Sequence, residues 1–248
     1  MTAPHTVLGR AVSLLRTFSF EEPVLTLSEL SRRTGLHKAT AHRLCRELVE
    51  HRLLDRVPGG YRLSRGLFEL GMRASTERTL TEVALPFLQD LYERTHETVH
   101  LGVREGSDVV YLLKIGGHRQ ARSPSRTGGR MPLHATAIGK MLLAHADPGD
   151  VASLLTGPLE RVTAHTVTAP GILHRQLERA LDEGVAFEHE ESAPGLTCVA
   201  APVTVGEDVV AAVSAAGPLG RFWPARHAVV VRAVAAAIGA ALARRSTP

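Results

Sequence analysis

Apolar residues near the start of the chain fall at Val7, Leu8, Ala11, Leu14, Leu15 and Phe18. That spacing predicts a helix with one apolar face, ended by Glu21, Glu22 and Pro23. A second helix has a well-defined start. Glu29 stands three residues after Thr26, the pattern of a capping box, with Leu25 and Leu30 as the flanking hydrophobic staple. The helix runs Leu27–Thr34 and stops at Gly35, the usual place for a C-terminal glycine. A third begins near His37. Its apolar residues Ala41, Leu44, Cys45, Leu48 and Val49 form one stripe, and its other face is polar. Two short strands then flank the turn Pro58-Gly59-Gly60, which predicts a hairpin.

Helical spacing returns between residues 65 and 95 as two segments. The second is entered at Glu82 and has Pro86 in its first turn, where a missing N–H is least harmful. Alternation at Val99, Leu101 and Val103, the turn at 105–108 and the β-rich run 109–115 predict a hairpin over 98–115. Residues 116–130 read as a basic loop or irregular strand. Helices are expected at 136–145 and 151–155. Another is expected from Thr168, as N-cap, to Asp182, closed by Gly184. Strands follow at 186–190, 197–203 and 209–216, then a long alanine-rich helix over 225–244. Ala233, Ala236, Ala237, Ala240 and Ala241 share one side of it, where they would pack on the sheet or against a partner helix. Hairpin-linked strands with helices to one side predict an antiparallel α+β domain behind a mainly helical one.

Charge divides the chain in the same way. The net charge is +4, but residues 1–75 hold 12 Lys and Arg against 7 Asp and Glu, and residues 76–248 hold 17 against 18. The basic excess therefore lies in the first third, as in a module that meets an anionic polymer. A solvated basic surface gives the same count. Two cysteines, Cys45 and Cys198, make no disulfide framework. The first residues lack the apolar run of a signal peptide, and Arg226, His227 and Arg232 interrupt the apolar stretch near the end, a poor membrane span. A cytoplasmic protein with no membrane partner is expected.

Two helices joined by a short glycine-containing turn and followed by a hairpin form the winged helix-turn-helix pattern. The third helix would present Lys38, Ala39, Thr40, His42, Arg43 and Arg46 to the major groove of double-stranded DNA. Arg56 and Arg62 on the wing are placed for phosphate or minor-groove contact. Three amphipathic helices packed as a core, without nucleic acid, would show the same stripes.

Three stretches resemble the IclR-type bacterial transcription regulators: residues 36–44 (LHKATAHRL), 132–140 (PLHATAIGK), and 188–191 (EHEE) followed by 195–203 (GLTCVAAPV). The resemblance covers about residues 6–245. It implies a winged helix-turn-helix domain over 1–64, a linker helix over 65–80 and a GAF-like effector domain over 81–248. It implies homodimers, often paired into tetramers, on near-palindromic operators, with a small organic or aromatic acid as effector. Effector contacts are implied for Ala137, Ile138, Glu188, Leu196 and Cys198, with Met131, His134 and Ser214 nearby. The family often has Asp where Glu188 stands, so the carboxylate here is one methylene longer.

Residues 136–140 would open a helix, whose first-turn N–H groups make a cradle for a carboxylate. Glu188 in the same space would repel that carboxylate unless it were protonated or bonded to a hydroxyl or amine. An effector with an acid at one end and a hydrogen-bond donor elsewhere is therefore expected. Glu188 capping backbone, or pairing with an arginine, is the alternative. No phosphate loop, cofactor motif or firm metal-ligand pattern occurs, so no cofactor and no metal are expected. Two other classes stay open: a ligand-binding protein whose helix-turn-helix serves protein contact, and a thiol-dependent enzyme built on Cys198, His134 and Glu188.

Overall fold

The computed structural model describes residues 6–116 and 123–246. The chain divides into two compact units between Arg78 and Thr79.

The first unit opens with α1 (Val7–Leu15), α2 (Leu27–Thr34) and α3 (Lys38–Glu50). α1 ends three residues earlier than its apolar spacing suggested. The Thr17 hydroxyl takes the Leu14 carbonyl at 2.6 Å, and Phe18 packs on the core from beyond the helix. α2 carries the expected capping box, with the Thr26 N–H donating to Glu29 Oε2 at 2.8 Å, and stops at Gly35 in the left-handed conformation. The wing pairs β1 (Leu54–Val57) with β2 (Gly60–Leu63). Leu25 bridges to Tyr61 beside them. A Cβ at Gly60 would lie 2.2 Å from the Leu25 carbonyl oxygen, so no other residue permits that approach. Leu14, Leu25, Leu30, Leu44, Leu48, Leu54 and Tyr61 close this core. α4 (Arg65–Gly71) follows the wing.

α5 (Ser75–Thr95) is one continuous helix, and Pro86 lies in its interior instead of in a first turn. The lost N–H bond is offset by burial of Leu80, Val83, Ala84, Leu88 and Leu91 along one side.

The second unit is built on an antiparallel six-stranded sheet in the order β5-β4-β3-β8-β7-β6. Its strands are β3 (Thr98–Glu105), β4 (Asp108–Ile115), β5 (Arg130–Pro132), β6 (Ala186–His189), β7 (Leu196–Val205) and β8 (Asp208–Pro218). β5 starts at the last residue of the stretch 116–130 read as a basic loop or irregular strand and runs two residues beyond it; residues 117–122 of that stretch lie outside the described residues. A 3₁₀ turn at Leu133–Ala135 leads from β5 into α6 (Ala137–Ala144), followed by α7 (Pro148–Thr156) and α8 (Pro170–Glu183). The N-cap of α8 is Ala169, because the Thr168 hydroxyl is taken by Arg161 at 2.9 Å. α9 (Pro224–Ser246) ends the described chain.

Helices cover both faces of this sheet, not one. α5 and α9 pack on the face formed by Val99, Leu101, Val199, Val203 and Val213. α6 and α8 pack on the other, with Ala186, Cys198, Ala200 and Ala212. α9 is long and apolar enough to cross a membrane by length and composition only, a test that the core helix of a sheet domain also passes. Here Val231, Val234, Ala235, Ile238 and Leu242 bury against the sheet. The alanines divide: Ala237 and Ala241 are half-buried, with Ala241 packed on the core, while Ala233, Ala236 and Ala240 are exposed, because the larger side chains of α9 take the centre of the core.

Candidate DNA-binding face and ligand cavity

On α3 the buried stripe is Ala41, Leu44, Cys45 and Leu48. Lys38, Ala39, His42, Arg43 and Arg46 stand exposed on the remaining surface, and Thr40 is half-buried. His37, the N-cap, makes no side-chain cap, so the first turn of α3 carries N–H groups not taken by that residue. Arg43 lies against Glu47 one turn on, Nη1 to Oε1 at 2.9 Å. On the wing Arg56 is exposed, and Arg62 Nε donates to Asp55 Oδ2 at 3.1 Å. Both ion pairs are solvent-exposed, the kind worth at most about 1 kcal/mol, so an incoming phosphate can displace them.

In the second unit, the side-chain alternation of the sheet selects the cavity wall. His100 and Ser214 are cross-strand partners on β3 and β8, and so are Glu188 and Cys198 on β6 and β7. Their neighbours Val99, Leu101, Val199 and Val213 point the other way, into the core under α9. The opposite wall is the first turn of α6. Gly102 allows it close: a Cβ there would sit 3.1 Å from Ile138 Cγ2 and 2.7 Å from Val109 Cγ1.

Seven of the eight expected effector residues share this cavity: Met131, Ala137, Ile138, Glu188, Leu196, Cys198 and Ser214. His134 does not. It lines a separate groove of about 490 Å³ with Arg104 and Asp150, and its Nε2 meets the Glu160 carbonyl at 2.8 Å. The 3₁₀ turn carrying His134 aims it away from the sheet face. Sequence reasoning missed His100, Tyr111, Ser123, Thr136, Ser192 and Ala216 as lining residues. A polar residue alternating with Val99 and Leu101 was the available signal for His100. The cavity is about 20 Å³, room for a single water, so a ring-sized ligand needs it to widen.

The ends of the cavity differ in charge. Thr136 caps α6 by accepting the Gly139 N–H at 3.0 Å, and Lys140 N bonds the Thr136 carbonyl. Among the described residues, the N–H groups of Ala137 and Ile138 find no acceptor. Glu188 does cap backbone. Its Oε1 accepts the N–H groups of Glu191 and Ser192 at 2.6 and 2.9 Å and the Ser192 hydroxyl at 3.2 Å. Its Oε2 has no partner among the described residues. Burial raises the Glu188 carboxyl to about 7; the Glu191 charge adds to the rise and the Ser192 N–H opposes it.

A polar track leaves the cavity on the other side. Ser214 Oγ lies 3.2 Å from His100 Nδ1, and His100 Nε2 lies 2.8 Å from Ser125 Oγ. Burial, with help from the Lys114 charge, lowers His100 to about 3, so the ring is neutral. Burial drives the Cys198 and Tyr111 groups far above their usual values, so both stay protonated. Cys198 and Glu188 adjoin, but His134 lies outside, so the three residues of the thiol-enzyme reading do not converge.

A winged helix-turn-helix followed by an antiparallel-sheet unit with an internal polar cavity defines a ligand-responsive DNA-binding regulator. The comparisons with known proteins agree. The IclR helix-turn-helix domain matches residues 7–58, and the bacterial transcriptional regulator IclR C-terminal domain matches residues 72–241. The chain is 36% identical over 209 residues to the transcriptional regulator XynR of Escherichia coli K12, covering 83% of each protein. It is 33% identical over 231 residues to the regulator BhcR of Paracoccus denitrificans, covering 92% of this chain and 82% of that one. Among solved structures, an IclR homolog from Microbacterium hydrocarbonoxydans complexed with 4-hydroxybenzoate superposes with a TM-score of 0.91. It is 34% identical, over 97% of this chain and 100% of that one. The chain belongs to the IclR family of bacterial transcription regulators.

Proposed function

We propose that this regulator is a cytoplasmic homodimer, or a tetramer of paired dimers, holding a near-palindromic operator whose occupancy is set by a small organic or aromatic acid. The observation that carries the DNA part is the exposure of Lys38, Ala39, His42, Arg43 and Arg46 opposite the buried stripe of α3. Arg43 is the base-reading residue of this set, and Arg56 and Arg62 hold phosphates from the wing.

The effector part rests on the two unlike ends of the cavity. The Ala137 and Ile138 N–H groups at the start of α6 suit a carboxylate. Glu188 Oε2 suits a hydroxyl or amine donor. A hydroxybenzoate meets both demands, and the homolog of similar structure is complexed with one. The cavity must open to admit it, so the acid favours an open conformation over the closed one. Operator affinity changes only if those conformations differ in their fit to DNA. On this reading the chain acts by binding, and the burial of Cys198, which keeps it as the inert thiol, speaks against a thiol-dependent enzyme.

The test is fluorescence anisotropy of the purified protein on a selected duplex pool, repeated across salt. An enriched palindrome and a log–log slope of about −7, for ~8 phosphate contacts, are expected. Adding 4-hydroxybenzoate and related acids to that palindrome should shift the affinity. No enrichment and no binding at low salt would defeat the DNA reading and favour protein contact by the helix-turn-helix.

A further inference from the structure

Two buried carboxylates stand three residues apart, Glu188 within β6 and Glu191 just after it, and only Glu188 lines the cavity. Glu191 turns instead to Lys140 of α6, forming an ion pair whose side chains are 5% and 1% exposed. Neither residue lines the cavity. A lysine this deeply buried stays charged only where its charge and donors are met.

Glu191 is the hub of the surrounding loop. One carboxylate oxygen takes the Lys140 ammonium; the other accepts the Val167 N–H at 3.3 Å. Its carbonyl accepts the Thr166 hydroxyl at 2.8 Å. Its own N–H is one of the donors that hold Glu188 Oε1. Glu190 before it is left-handed at φ 56°, and Gly195 N closes the loop onto Glu190 Oε1 at 2.8 Å. Lys140 follows Ala137 and Ile138 within the first turns of α6. The ion pair therefore ties together the two walls that face each other across the cavity.

We infer that Lys140 and Glu191 are positioning residues of the ligand cavity: their ion pair seats the 190–195 loop against α6, and the loop's N–H groups then orient Glu188. The ligand-affinity part of this rests on the effector reading above; the orientation of Glu188 rests on the protein alone.

The test replaces the pair together, Lys140→Met with Glu191→Leu, in the full-length protein, so that no lone buried charge remains. Urea unfolding reports global stability, amide hydrogen exchange on the ligand-free protein reports the loop, and calorimetry with 4-hydroxybenzoate reports the cavity. The expected result is a urea midpoint close to wild type, with Glu191 and Ser192 amides exchanging at least about ten-fold faster and those of β7 unchanged. Affinity for 4-hydroxybenzoate should fall at least about ten-fold. Wild-type protection of those two amides in the folded variant overturns the inference. If the paired variant does not fold, Glu191→Asp keeps the charge, withdraws the carboxylate by one methylene, and is read by the same two amides. If these loosen but the wild-type protein binds no acid, the positioning stands and the effector reading falls. If they loosen and affinity is unchanged, the ligand part of the inference falls.

Discussion

The Arg43 guanidinium lies 2.9 Å from the Glu47 carboxylate, one turn further along the exposed face of α3. In the free protein the cation proposed to read a base is thus already paired, but weakly, with both side chains about half exposed. Arg43→Ala should cost about 1–3 kcal/mol of specific operator binding and relax selection at one base position. Glu47→Ala should leave binding equal or tighter, because DNA no longer competes with that carboxylate. Anisotropy on the selected duplex and on a single-base variant of it separates the two outcomes.

Phosphate contacts have a different signature. Lys38→Ala, Arg46→Ala, Arg56→Ala and Arg62→Ala should each weaken binding evenly across sequences and flatten the salt slope by about 1. A variant that loses affinity with no change of slope does not contact phosphate.

Two buried titratable groups give stability opposite pH trends. The Glu188 carboxyl ionises at 4.5 in the unfolded chain and at about 7 in the fold, so the folded state holds its proton longer. Stability from this group is complete below about 4.5 and is lost as pH rises through about 7. Glu188→Gln keeps an acceptor for the loop N–H groups, should remove that slope, and at pH 8 should exceed wild type by on the order of 2–3 kcal/mol. His100 runs the other way. Held neutral down to about 3 against 6.5 unfolded, it makes stability fall as pH drops through that window. His100→Asn should flatten the acid side. Urea midpoints from pH 4 to pH 8 on the three proteins test both signs.

The close contact at Gly102 makes a packing prediction. Gly102→Ala places a Cβ 2.7 Å from Val109 and 3.1 Å from Ile138, which must both give way. A loss of about 1–3 kcal/mol is expected, together with altered acid affinity as the α6 wall shifts. Urea midpoints and calorimetry read the two effects separately.

Cys45 and Cys198 are both buried and free, and burial raises Cys45 to about 11 and Cys198 further. A thiol probe at pH 8 should modify neither at a measurable rate until the protein unfolds. Rapid labelling of Cys198 in the native protein would reopen an enzymatic reading.

The sequence by itself determined the helix-turn-helix. The Thr26–Glu29 box, the left-handed Gly35 and the stripe of α3 are interactions between residues a few positions apart, so they stand in plain order along the chain. It also marked the segments 132–140, 188–191 and 195–203, which bring Thr136, Ala137, Ile138, Glu188, Leu196 and Cys198 to the cavity wall. Tertiary structure decided which residues of those segments meet. Strand register set His100 opposite Ser214 and Glu188 opposite Cys198, while the turn after β5 sent His134 to another groove. Packing also carried α5 straight through Pro86, against its local preference. The Lys140–Glu191 pair joins residues 51 positions apart. Local signals cannot specify such contacts, because they form only when the sheet has aligned its strands and helices have covered both of its faces.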